Sequence, residues 1–146
     1  MDAAGNLFGT TTSGGVSGFG VVFETFTVGT PQTRVLYNFG SVANDGAYPL
    51  AALITDAAGN LYGTTFSGGG STYCSVGPDN GCGTTFKLTR SGSHWKESIL
   101  HAFTGAGDGG FPGVLISDAS GNLYTTMEVG GRYNLGAVIE LSPHVP

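Results

Sequence analysis

Apolar and polar residues alternate along this chain in short runs, and glycine pairs or Asp-x-x-Gly-Asn segments interrupt nearly every run. Leu61-Tyr62-Gly63-Thr64-Thr65 and Val21-Val22-Phe23-Glu24-Thr25 are typical. Such runs, rich in Thr, Val, Tyr and Phe and bounded by turn residues, predict strands. Ten are expected, at 7–12, 20–25, 34–39, 50–55, 61–66, 83–89, 95–103, 114–117, 123–127 and 136–141. Helical periodicity is sustained nowhere, and the glycine density opposes helix. Asn44-Asp45-Gly46-Ala47-Tyr48-Pro49 reads as a turn, because Asp-Gly supplies a bend and Pro49 ends a ladder.

One stretch recurs three times: Asp2 to Thr11, Asp56 to Thr65, and Asp118 to Met127. Around it the strand order repeats, giving cores at 2–25, 34–89 and 95–142 within a single domain spanning 1–146. In each turn the aspartate can bond its own downstream amides, and the glycine can take positive φ. Four short antiparallel strands per repeat are the signature of a β-propeller blade. The fold expected is all-β, a propeller-like array of four-stranded blades, incomplete at about two and a half.

The pattern DxxGNLYGTTxxGG…GxVFxL, preceded by LYxF…DGxxPxAxLI, resembles the GloVer-type glycine-rich tandem repeat proteins of bacteria. It is also similar to the DxxGNLW repeats of two-component-regulator propellers. The resemblance implies a long, exported protein, so an extracellular or cell-surface location is expected. Met1 leads straight into repeat sequence, which expects a leader already removed or a chain cut from something longer. In the regulator propellers the apolar strand before DxxGN is innermost. That phase leaves one inner and one outer strand missing from three blades. The expected partners are therefore further copies of the chain or the remainder of a longer propeller.

Composition narrows the function classes. Glycine contributes 27 of 146 residues and charged residues only 10%. The five basic residues form no cluster, so a nucleic-acid partner is not expected. No apolar run is long enough for a membrane-spanning helix. Cys74 and Cys82 share one loop: the readings are a disulfide staple or two free thiols, and a disulfide implies an oxidising compartment.

Consecutive turns of a meander alternate between the two strand ends. The Asp-x-x-Gly-Asn turns should share one end, and the Gly-Gly and Asp-Gly-x-x-Pro loops the other. The second end gathers Asp45, Asp108, Glu128, Arg132 and the cysteine loop. The leading expectation is a binding or structural module taking a small molecule or glycan there, with Tyr48, Phe111, Tyr73 and Tyr133 as exposed stacking aromatics and Arg132 beside them. The alternative is a hydrolase with Glu128 and His101 as catalytic groups. Asp45 and Asp108 would hold Ca2+, a hard cation that takes oxygen ligands. Its substrate would be a lactone such as an acyl-homoserine lactone, by fold-level analogy with propeller lactonases, or a glycoside. His94 lies in a turn and His144 in the tail, and there is no G-x-S-x-G.

Overall fold

The structure, a computed structural model, describes residues 1–2, 4–76 and 79–142. Within these, the regular elements are all strands: β1 (Leu7–Thr11), β2 (Val21–Phe26), β3 (Gln32–Asn38), β4 (Gly46–Ala47), β5 (Ile54–Thr55), β6 (Leu61–Thr65), β7 (Ser67–Gly68), β8 (Ser75–Val76), β9 (Asp79–Asn80), β10 (Thr84–Ser91), β11 (His94–Ala102), β12 (Gly110–Pro112), β13 (Ile116–Ser117), β14 (Leu123–Val129) and β15 (Ala137–Leu141). His144 lies outside the described residues.

Three antiparallel sheets carry the repeats. The first runs β1-β2-β3 and the second β5-β6-β10-β11; in the third, β14 is flanked by β15 on one side and by β12 and β13 on the other. The short pair β4-β7 extends the second sheet, so residues 46–55 follow one edge of residues 61–68 in two paired pieces. Residues 110–117 follow β14 in the same way. Among the described residues only the second sheet has all four strands of the repeat: in the first no strand pairs the outer edge of β1, and in the third none pairs the outer edge of β15. The fold is thus all-β, built of small antiparallel sheets with none closed into a barrel, and compatible with an incomplete propeller-like array.

The innermost pieces differ from the expected strands. Of 50–55 only Ile54–Thr55 is paired, and of 114–117 only Ile116–Ser117. The Asp-Gly segments read as turns do bend at Asn44 and before Asp108, but they then enter the ladder, Gly46–Ala47 as β4 and Gly110–Pro112 as β12. Glycine permits this. A Cβ on Gly46 would stand 2.6 Å from Thr65 Cγ2, so only a bare backbone can lie against that strand. The aromatic that follows then takes a left-handed conformation, φ 57° at Tyr48 and 58° at Phe111.

That kink locks neighbouring sheets together. Tyr48 N–H donates to Phe19 O at 2.9 Å and Phe111 N–H to Cys82 O at 2.7 Å, each reaching the preceding sheet. Pro49 then sits over Gly20 and Pro112 over Gly83, where a Cβ would approach the proline Cδ to 2.8 and 2.6 Å. Threonine closes each seam: Thr10 Oγ1 donates to Ala51 O (3.3 Å) and Thr64 Oγ1 to Gly113 O (2.8 Å). Left-handed φ in a bulky residue costs about 1–3 kcal/mol, and these contacts hold it in place.

The core lies in the seams. Val22 and Phe39 meet Leu61, Phe86 and Leu88 between the first and second sheets. Tyr62 meets Leu115 and Leu123 between the second and third. Full burial of one such side chain contributes about 1.5–3 kcal/mol. A further cluster joins Phe103 and Met127 to Cys74 and Cys82, which form a disulfide.

At the other strand ends the three Asp-x-x-Gly-Asn turns are near copies. Asp56 Oδ1 accepts from Ala58 N and Asn60 N, and Oδ2 accepts from Asn60 Nδ2 and the Tyr62 hydroxyl. Asp118 repeats the set with Ser120, Asn122 and Tyr124, and Asp2 with Ala4 and Asn6. Burial pushes the Asp56 carboxyl up, but these donors outweigh it and hold it below the ordinary carboxylate range. The aspartate lone pairs are therefore spent on turn geometry.

Candidate functional site

The loop end of the seam between the first and second sheets holds a cleft of about 320 Å³, lined among others by Phe19, Asn44, Asp45, Gly68, Gly70 and Asn80. Its walls come from the loop before β2, the loop between β3 and β4, and the cysteine hairpin β8-β9. Close backbone contact shapes it. A Cβ on Gly81 would lie 1.6 Å from Gly68 O, and one on Gly70 would lie 2.4 Å from Asn44 Oδ1. Asn44 itself sits at φ 58°. The disulfide ties down the hairpin that carries Asn80.

Asp45 anchors the cleft floor. It is 6% exposed, and its Oδ2 accepts from the Tyr37 hydroxyl (2.8 Å) and Ser41 N (3.0 Å). Its Oδ1 accepts from Gly46 N at 2.7 Å. Burial first, then the hydrogen bond and charge of Asp45, push the Tyr37 phenol well above its ordinary value. Glu97 of β11 belongs to the same field. Burial, reinforced by the Asp45 charge, raises its carboxyl to about 7, and its Oε1 is buried without a hydrogen-bond partner.

The next repeat carries the same device with a substitution. His101 Nε2 lies 3.0 Å from Asp108 Oδ2. Asp108 also accepts from Thr104 N at 3.2 and 3.1 Å and from the Thr104 hydroxyl. Burial raises the Asp108 carboxyl, and the Thr104 and His101 hydrogen bonds more than offset it, so the group lies below the ordinary range. His101 occupies the repeat position of Tyr37, and Asp108 that of Asp45. Each pair joins an outer strand to the start of the next inner strand, across the loop between them.

The remaining candidates are dispersed. Glu128 is exposed on β14, and no hydrogen bond or ion pair joins it to His101, Asp45 or Asp108. Among the described residues no group of three or more His, Cys, Asp or Glu side chains is placed to hold a metal. Arg132 lies over the Tyr133 ring at 5.3 Å, on the loop after β14. Tyr73 and Tyr133 stand exposed, whereas Tyr48 and Phe111 are half-buried. Tyr48 packs edge-on against Phe19 (5.8 Å) and Phe111 stacks on Phe66 (4.6 Å), because both rings follow the kink that locks the seam. His94 is exposed at the start of β11.

Sequence reasoning overlooked three residues: Tyr37 and Asn80, and Glu97. For Glu97 a signal existed. It alternates in step with Trp95 and Ile99 on β11, so period two places it on the inward face. Tyr37 was legible only by aligning it with His101, and Asn80 only once the hairpin had folded over the cleft.

The strand order, the three copied turns and the repeated seam locks define a tandem-repeat β module. The chain matches the Gloeobacter/Verrucomicrobia repeat family over residues 1–145 and belongs to it. No curated protein and no solved structure matches it.

Proposed function

We propose that this repeat module works outside the cytoplasm as a binding unit and takes a polar, polyhydroxylated ligand of the glycan class in the cleft over Asp45. The observation that carries this reading is the cleft itself: about 320 Å³, with the Asn44 and Asn80 amides and the Asp45 segment beside the Phe19 ring. Side-chain amides donate and accept at once, as a sugar hydroxyl does, and a neighbouring ring offers an apolar face. Glycine lets the backbone close up around the cleft, since a Cβ on Gly68 would lie 2.2 Å from Asp45 O and one on Gly70 2.4 Å from Asn44 Oδ1. A disulfide beside the cleft supports an oxidising compartment.

The test is a glycan array followed by NMR titration of the best oligosaccharide. Shifts confined to residues 19, 40–47, 68–70 and 80 are expected, and Asn80→Ala should weaken binding about tenfold, the loss of one good hydrogen bond. Absence of any saccharide that perturbs those residues defeats the reading.

A further inference from the structure

We propose that the open face of the third sheet docks the first sheet of a second copy of this chain, head to tail. The two seams inside the molecule show what this face accepts. In the second sheet, Ile54 and Tyr62 face the third sheet and pack on Leu115 and Leu123, while Thr64 donates across the seam to Gly113 O. By repeat position, Ile116, Tyr124 and Thr126 are their counterparts in the third sheet. There the same positions, with Val114 and Val138, surround an open groove of about 320 Å³. Ile116 is 63% exposed and Val138 72%, values far from those of seam residues.

The complementary half stands at the opposite end of the same molecule. Leu7 holds the repeat position of Leu61 and Leu123. Those two are 0% and 2% exposed because a preceding sheet covers them; Leu7 is 47% exposed. Phe23, half-buried, holds the position of Phe86, which fills the first seam, and Val35 beside it is exposed. A face and its complement on one molecule make a heterologous contact, which closes into a ring if the rotation permits and otherwise extends. The groove is apolar, so Leu7 and Phe23 are the groups that suit it. Among the described residues no strand pairs the outer edge of β1 to supply the aromatic-proline lock. The contact is therefore weaker than the internal seams and depends on concentration.

Sedimentation velocity on the intact chain tests this. The mass should rise from 14.8 kDa to multiples of it as concentration increases. The transition should fall at roughly 10–100 μM, the range of an interface lacking its anchor. Val138→Lys and Leu7→Lys each block one face at an exposed position and should each give a monomer. Mixed one to one, they should give a dimer and nothing larger, because each retains the face the other has lost. If a lysine variant fails the folding check by circular dichroism, Val138→Ser or Leu7→Ser replaces it. A wild-type chain that stays monomeric at about 500 μM overturns the proposal, and would leave the face to a different occupant such as a further repeat. Assembly indifferent to both variants, or a mixture that remains monomeric, overturns it equally.

Discussion

The two ends of the strands solve the same problem differently. At the Asp-x-x-Gly-Asn end, Asp56 binds residues at most six positions away, so each turn is closed by its own segment. At the loop end, Asp45 and Asp108 bind Tyr37 and His101 from the strand before, and the backbone beside them is held by the preceding sheet. A self-contained turn can be copied unchanged into every repeat. A junction that depends on its neighbour must fit that neighbour, and there the copies differ: tyrosine in one, histidine in the next; a short loop in one, a disulfide-tied hairpin in the next.

Glycine substitutions break this contrast most sharply. Gly59 and Gly83 both have positive φ, 79° and 94°. A Cβ on Gly59 meets nothing within 4 Å, whereas one on Gly83 would lie 2.3 Å from Thr65 O and 2.6 Å from Pro112 Cδ. Gly59→Ala should cost about 1 kcal/mol, the backbone preference alone. Gly83→Ala should cost upwards of about 3 kcal/mol, because strands or seam must part. Urea denaturation measures both, and equal costs would dissolve the distinction.

The aspartates come next. Asp45→Ala leaves the Tyr37 hydroxyl, Ser41 N and Gly46 N without their acceptor, at a cost of about 2 kcal/mol after relief of the repulsion on Glu97. Asp56→Ala, at an exposed turn, should cost about 1 kcal/mol. His101→Tyr, which restores the residue of the preceding repeat, should stay within about 0.5 kcal/mol of wild type. A larger loss in thermal denaturation would show that histidine has a role of its own.

The last effect appears only above neutral pH and refines the loop end alone. The Glu97 carboxyl is raised to about 7 from 4.5, so folding favours its protonated form. That contribution is complete below the unfolded value and is lost as pH rises through about 7. Glu97→Gln, neutral at every pH, should match wild type at acid pH and exceed it by about 1 kcal/mol above pH 8, a value reduced for the half-exposed position. A stability difference that does not change with pH would remove Glu97 from the Asp45 field.

Much of this architecture was legible in the chain. The copied turns marked the repeat, the alternating runs marked the strands, and their order showed which strands the first and third sheets lack. What misled was composition. Asp-Gly and proline suggested a turn at 44–49; the chain does turn at Asn44, but Gly46 and Ala47 enter the innermost ladder and Tyr48 and Pro49 form the seam lock, because Gly46 fits flat against Thr65 and the proline needs a glycine in the adjacent sheet. The aromatics Tyr48 and Phe111 looked like exposed ligands for the same reason. Their burial depends on Phe19 and Phe66, which no local pattern connects to them.

By itself, then, the sequence determined the strand period, the repeat and the self-closing turns, since each depends on hydrogen bonds and side-chain alternation within a few residues. Only the tertiary structure decided where the seams lock, which carboxyls share a field, and where a cleft stays open. Those depend on interactions between residues distant in the chain, such as the charge of Asp45 acting on Glu97 and the close approach of Pro112 to Gly83, which follow from how whole sheets stack.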